Sequence, residues 1–333
     1  MVKSISVVIP NYNGKELLER NLPPLFIALK NVQAKNEIII VDDASTDQSV
    51  DFLESSYPDI IVLRQSTNRG FSPTVNRGIN YASNDLIFLM NSDVELTENY
   101  FFFMEKYFER SDTFGVTGRT IGLSDSIIQD SGKFPGQLLT GKIYHYNFYI
   151  KDPRNYWVPT LYLSGANALI DREKLKCLGG FDEIFAPFYC EDTDLSIRAW
   201  RLGYRSYYEH SSICRHPVSA TIRKFHLSSH IWIISHRNKL ILHAIHLVGL
   251  TRIVWNFKVW ITLIGRSLVF DWNYLRAFRL YRELKPEIVN SIKRFSAVCH
   301  NKPPSIDLIL KNLRTEILIH QFVRVSDEMK YNS

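Results

Sequence analysis

Asn91-Ser92-Asp93 closes the apolar run Leu86-Ile87-Phe88-Leu89-Met90, so a buried strand there would deliver a carboxylate at its C-terminal end. Aspartate is a hard oxygen ligand for a divalent cation, and the rim beyond the strand ends is where an open α/β sheet binds ligands. An acid after a strand also caps ordinary turns, so Asp93 needs a partner to count as a metal ligand. His216, which ends Ser211-Ser212-Ile213-Cys214-Arg215-His216 at a strand-to-loop position, is the best second ligand. One imidazole with one carboxylate suits Mn2+ better than Mg2+.

Three further constellations could carry chemistry. Asp42-Asp43-Ala44-Ser45-Thr46-Asp47 follows the strand-like run Glu37 to Val41. Helix capping explains Ser45, Thr46 and Asp47 but not the two consecutive acids before them, and the motif as a whole reads either as a cap or as a site for a base and ribose. Asn68-Arg69-Gly70-Phe71 leads into a helix carrying Asn76 and Gly78, and Gly70 permits close backbone approach to a ligand. Glu191-Asp192-Thr193-Asp194 opens a helix that stops at Gly203. Asp194 can pair with Arg198 one turn on, but crowding raises the pKa of Glu191 and Asp192 toward that of a useful general base.

The elements that must position these residues alternate. Ile5 to Ile9, Glu37 to Val41, Ile60 to Leu63 and Leu86 to Met90 read as strands, with helices beginning near Gly14, Thr46 and Ser72; this pattern predicts a parallel sheet covered by helices. The loops after the strands should gather on one edge. From Thr113 to His216 strands and loops are less regular, and acceptor contacts are expected there. Beyond His216 the chain turns helical, basic and apolar, with no further strand expected and a loose tail over Met329 to Ser333.

Together these pieces resemble the family 2 glycosyltransferases. The resemblance rests on Val7-Val8-Ile9-Pro10-Asn11-Tyr12-Asn13-Gly14, Val41-Asp42-Asp43-Ala44-Ser45-Thr46-Asp47, Asn68-Arg69-Gly70-Phe71, Asn76-Arg77-Gly78-Ile79, Asn91-Ser92-Asp93, Gly179-Gly180-Phe181-Asp182-Glu183 and Glu191-Asp192-Thr193-Asp194-Leu195 in this order. It implies an α/β, GT-A, Rossmann-like mixed sheet flanked by helices, with residues 1–216 catalytic (1–112 the nucleotide-sugar half, 113–216 the acceptor half) and 217–333 a helical C-terminal region.

The resemblance also implies inverting transfer of a sugar from a nucleotide-sugar donor to a hydroxyl of a glycan or lipid-linked glycan, in cell-surface polysaccharide or glycolipid synthesis. Pro10, Tyr12, Asn13, Asp42, Asp43, Asn68, Arg69, Gly70, Asn76, Asn91 and Ser92 would line the donor site. Asp93 and His216 would hold a divalent cation, Mn2+ or Mg2+. Asp192 would be the base and Glu191 would position it or the acceptor. The chain departs from the pattern at Asn91, where many members carry an acid, and it lacks the Gln-x-x-Arg-Trp motif of processive polysaccharide synthases.

The net charge is +6 with a pI near 9.0, and from Arg215 to Arg282 inclusive eleven Lys or Arg face one acid, Asp271. That segment should seek anionic surfaces. Ile253, Val254, Phe257, Trp260, Ile261 and Ile264 share one face of a helical wheel, opposite Arg252, Lys258 and Arg266. Such a helix either lies in an anionic membrane surface or packs on the catalytic domain or a second subunit. No apolar run reaches the roughly 20 residues of a spanning helix.

Four scattered cysteines and a short, weakly flanked N-terminal apolar run point to a reducing, cytoplasmic setting, with a peripheral place on the cytoplasmic membrane face left open, as is an oligomer. A nucleic-acid partner is not expected, and a nicotinamide oxidoreductase would need GxGxxG after the first strand, where Pro10 to Gly14 stand. The competing reading is a catalytically inactive nucleotide-sugar-binding protein of the same fold.

Overall fold

Ile5–Asn11 (β1) and Glu37–Asp42 (β2) are β-branched runs buried along almost their whole length, which is what strands between two helical layers require. The computed structural model describes residues 3–152, 154, 156–216, 227–299 and 301–325. The expected tail at 329–333 lies outside them. Ile61–Arg64 (β3) and Leu86–Met90 (β4) complete a parallel set, with β1 hydrogen-bonded to both β2 and β4. The helices Lys15–Lys30 (α1), Ser49–Ser56 (α2) and Phe71–Tyr81 (α3) follow the first three strands.

The sheet then changes character. After the short Glu95–Leu96 (β5) come Thr113–Ile121 (β6), Ile128–Asp130 (β7), Gly132–Gln137 (β8), Ile143–Ile150 (β9), Val158–Pro159 (β10), Asn167–Asp171 (β11) and Arg205–Arg215 (β12). β11 inserts antiparallel between β4 and β6, giving the order β10-β12-β6-β11-β4-β1-β2-β3. The order reverses where β1 leaves to α1 and β4 to the acceptor half, so the strand ends at Asn11 and Asn91 flank a topological switch point.

Two cores cover this sheet. On one face α1 contributes Leu18, Leu22 and Leu25 against Phe88, Tyr100 and Tyr107; on the other, α3 with Arg172–Cys177 (α4) and Glu191–Arg201 (α5) packs Val75, Ile79, Leu175 and Leu195 against Ile39, Leu89 and Ile170. A third core joins β8 and β9 to the C-terminal helices Ser228–His246 (α6), Gly249–Leu268 (α7), Trp272–Glu283 (α8), Lys285–Val298 (α9) and Ile306–Leu318 (α10). Phe148 and Tyr208 meet Ile241, Leu310 and Ile317 there, so residues on both sides of position 216 share one interior.

One expectation is corrected. Phe322–Arg324 (β13) pairs antiparallel with β9, although no strand was expected after His216. The run is three residues long and takes its place from the exposed edge of β9 rather than from its own periodicity.

Polar ties fix α6 to the catalytic half. Asn238 donates to the carbonyls of Phe185 (2.6 Å), Phe188 (2.8 Å) and Tyr189 (2.9 Å), and His246 Nε2 lies 2.9 Å from Asp194 Oδ1. These bonds hold the loop that leads into Glu191 and Asp192.

Candidate active site

The loop after β2 is wired into its neighbours by both acids. Asp42 accepts from Asn11 Nδ2 (3.0 Å) and the Ser45 amide (3.0 Å). Asp43 accepts from Gln65 Nε2 (2.7 Å) and from the amides of Arg69 (2.8 Å) and Gly70 (2.9 Å). Both carboxylates are buried, and Asp43 spends its acceptors on shaping the Asn68-Arg69-Gly70 turn. Asn13 joins the same knot: its amide donates to Ser45 Oγ (2.9 Å), and its Oδ1 accepts from the Thr46 amide (2.7 Å). Asp47 accepts from the Lys15 and Ser49 amides (2.9 and 3.2 Å), the helix-start role expected of it.

Pro10 and Tyr12 are half-buried where β1 runs out, and Asn68 and Arg69 are exposed on the opposite loop, Arg69 reaching Glu183 at 3.3 Å. Gly70 has φ +83° and a side chain there would strike Pro187, 2.7 Å away. Asn76 does not face open space: it exchanges hydrogen bonds of 2.9 Å with the Phe181 backbone in both directions. It braces the Gly179-Gly180-Phe181 turn from α3.

Asp93 and His216 come together as expected, Nε2 to Oδ1 at 3.0 Å. β5 pairing with the end of β12 makes this contact, since Glu95 is opposite Arg215. Ser92 receives Asn21 Nδ2 at its carbonyl (2.7 Å), and Asn91 Oδ1 is buried without a hydrogen-bond partner. A carboxylate, an imidazole and an orphaned amide oxygen form a donor set that suits Mn2+ or Mg2+. Among the described residues no three His, Cys, Asp or Glu converge as a closed metal cage, so a cation here would keep positions open for ligand oxygens.

Asp192 stands at the start of α5. Its Oδ2 accepts from the Gly165 amide (3.0 Å), while Oδ1 has no hydrogen-bond partner. The missing Cβ of Gly165 leaves room for the carboxylate in this orientation: it would lie 2.6 Å from Asp192 Oδ1 and 3.0 Å from Phe71. Burial raises the pKa of Asp192, with the Gly165 amide and Lys133 opposing it. Burial also raises Glu191, and the Asp192 charge adds to that. Glu191 keeps one oxygen, Oε2, without a partner.

Asp194 belongs to the scaffold instead. It accepts from Arg198 Nε (2.8 Å) and meets His246, while Arg198 also donates to the Leu178 and Gly180 carbonyls.

Short contacts join the two halves. Asp43 holds Gly70; Phe71 reaches Gly165; Gly165 holds Asp192; and Asn91 donates from its amide to the Ala166 carbonyl at 3.3 Å, next to Asp93. A continuous run of contacts therefore links Asp43, Asp192 and Asp93. Sequence reading missed Gly165, Gln65 and Lys133. Lys133 is buried, donates to Asn147 Oδ1 (3.0 Å), pairs with Asp130, and is pushed down by burial to about 7, with the Asp192 charge opposing that. A lysine between a glycine and a phenylalanine in a short strand offers no periodic signal.

The family model for glycosyl transferase family 2 matches residues 6–179. The N-acetylglucosaminyl-diphospho-decaprenol L-rhamnosyltransferase of Mycobacterium tuberculosis is 26% identical over 257 residues, covering 69% of this chain and 82% of that protein. The dolichol-phosphate mannosyltransferase of Pyrococcus furiosus is 38% identical over 96 residues, 27% of this chain and 26% of that protein. A mannosyltransferase from Pyrobaculum calidifontis, solved with GDP-Man and Mn2+, superposes with a TM-score of 0.51 at 15% identity over 96% of this chain and 85% of its own. That likeness shows the GT-A fold.

Proposed function

As the chain belongs to glycosyl transferase family 2, we propose that it moves a sugar from a nucleotide-sugar donor to a hydroxyl of a polyprenol-linked glycan, with inversion, by one in-line displacement. The observation that carries this reading is Asp192: a carboxylate with an unpartnered oxygen, a raised pKa and a fixed orientation, linked through Gly165, Ala166 and Asn91 to the Asp93–His216 pair. An inactive binding protein of the same fold has no need of an acid whose Oδ1 is buried and unpartnered at that place.

The acceptor oxygen attacks the anomeric carbon, the bond from that carbon to the diphosphate oxygen breaks with its electron pair, and the hydroxyl proton passes to Asp192 Oδ1. Gly165 aims the carboxylate, and burial keeps water from competing for it. The Asn11 to Asn13 and Asn68 to Gly70 loops border the base and ribose, their shape fixed by Asp42 and Asp43. Asp93 and His216, with Asn91, would hold the divalent cation, which when bound neutralises diphosphate charge and favours its departure. The lipid-linked acceptor follows from the decaprenol and dolichol named for the relatives.

The outward face of α7 supports a membrane setting. Ile253, Phe257 and Trp260 are 66%, 67% and 56% exposed, while Trp255 and Val259 are the residues packed inward. The apolar stripe therefore does not pack on the catalytic half. It continues through Ile264, Leu268, Phe270 and Trp272, beside Arg252, Arg266 and Arg276. No helix among the described residues is long and apolar enough to cross a membrane; an interfacial helix with a basic flank fits this surface.

The test is release of nucleoside diphosphate from a panel of UDP-, GDP- and dTDP-sugars with and without Mn2+. One donor should be consumed only with acceptor and cation present. Donor binding with no turnover on any polyprenol-linked acceptor would favour the inactive binder.

A further inference from the structure

A cavity of about 520 Å3 opens between β6, β9 and β12 and is lined by Phe103, Arg119, Tyr149, Lys151, His210 and Ser211. It differs from the site of Asp93 and Asp192 in its lining: Ile150 and Ile213 complete it, and none of Asp93, Asp192 and His216 takes part. Two of its side chains carry polar atoms without hydrogen-bond partners. Arg119 Nε is buried with no acceptor, and both ring nitrogens of His210 are without a hydrogen bond although the side chain is only 5% exposed. The nearest carboxylates are engaged elsewhere: Glu209 with Lys106 (2.9 Å), Tyr107 Oη (3.0 Å) and the Ser211 amide (2.9 Å), and Asp152 with Arg154 (3.0 Å). Glu209 Oε1 stays 3.7 Å from His210 Nδ1, too far for a hydrogen bond.

A buried guanidinium nitrogen without an acceptor, as Arg119 Nε is here, is costly. An anion with several acceptor oxygens would satisfy Arg119, His210 and Ser211 together, with Lys151 adding charge at the rim. The cavity is also aligned with the chemistry. Asn147 and Tyr149 share one face of β9, Lys151 follows the end of that strand, and Asn147 is the residue that receives Lys133, which in turn feels Asp192. Tyr149 therefore lies about 7 Å along the strand from Asn147, with Lys151 two residues farther along the chain, a span suited to an acceptor whose phosphate is set back from its reacting hydroxyl.

We propose that this cavity is a phosphate subsite that holds the diphosphate of the acceptor, apart from the diphosphate of the donor, through Arg119, Lys151, His210 and Ser211. The assignment of the anion to the acceptor rests on the transfer reading above; the anion site itself rests on the unpartnered Arg119 Nε and His210 ring nitrogens that line the cavity.

The test is calorimetric titration of the full chain with inorganic pyrophosphate and, separately, with geranyl diphosphate, both in EDTA so that no cation can bind the anion at Asp93. Geranyl diphosphate should bind at least as tightly as pyrophosphate. Lys151→Gln, at an exposed position where misfolding is not a concern, should weaken both about threefold or more, and Arg119→Gln with Lys151→Gln tenfold or more. Arg119→Lys should recover part of the loss, and Asp93→Asn should change neither. Binding that survives the double variant, or that falls with Asp93→Asn, overturns the site. Pyrophosphate binding without geranyl diphosphate binding assigns the cavity to free phosphate and overturns the acceptor role. Donor turnover by the same protein is a separate readout: its absence sinks the transferase reading and leaves the pyrophosphate result standing.

Discussion

The Gly165 amide donates to Asp192 Oδ2 across 3.0 Å, and the missing Cβ of Gly165 leaves the space that Asp192 Oδ1 occupies, 2.6 Å from where that carbon would be. One residue thus both aims the acid and makes room for it. Gly165→Ala should fold, because the atom it meets is the end of a flexible side chain, but the carboxylate must swing away. Turnover should fall about 10- to 100-fold with the melting temperature almost unchanged. Steady-state rates and a thermal melt on the same preparation check this.

Two neighbouring acids with raised pKa values set a pH signature. Burial lifts both Glu191 and Asp192, so the base becomes active only above the ordinary carboxylate range. The acid limb of kcat should have its midpoint above about pH 5, as a property of the pair. The same shifts fix the sign for stability. A carboxyl whose folded pKa is raised favours folding below its unfolded pKa and loses that advantage as pH rises through the folded value. Glu191→Gln should therefore match the wild type near pH 5 and exceed it by on the order of 1 kcal/mol near pH 9, read by denaturant melts at both values.

Asp194 carries the opposite sign. Burial would raise its pKa, but Arg198 and His246 outweigh burial and hold it below the ordinary value. Its stabilising contribution is present above the unfolded pKa and is lost as pH falls through the folded one. His246→Ala leaves Asp194 with Arg198 alone and unties α6, and should cost about 2–4 kcal/mol. Equilibrium unfolding near neutral pH measures the loss, which should shrink in acid.

Much of this was legible in the order of residues. The strand runs of the first four strands, the strand-end loops and the Asp93–His216 pair all follow from buried β-branched runs ending in polar residues, and the structure brings them to one edge. Asn76 braces the Gly179-Gly180-Phe181 turn, a role that residue order does not distinguish from facing a ligand. Gly165, Gln65 and Lys133 were invisible because tertiary contacts alone give them meaning: Gly165 matters only once α5 brings Asp192 against it. The outward stripe of α7 was visible as a stripe, but whether it faced in or out depended on Trp255 and Val259 taking the inner side.

That stripe gives a direct binding prediction. Phe257→Ser, Trp260→Ser and Ile264→Ser together alter exposed positions, so the protein should fold normally and lose tenfold or more of its partitioning to vesicles containing anionic lipid, about 1.4 kcal/mol or more. Wild-type binding should weaken as salt rises, because Arg252, Arg266 and Arg276 contribute through screened charge. Sedimentation with vesicles checks both; a change in oligomeric state instead would assign the face to a second copy.

The most direct test of the whole account is Asp192→Asn, with donor affinity and sugar transfer measured on one preparation. If Asp192 takes the acceptor proton, transfer should drop by about 10^2- to 10^4-fold while the donor dissociation constant stays within about threefold. Donor affinity collapsing together with transfer, or transfer persisting near the wild-type rate, would contradict it.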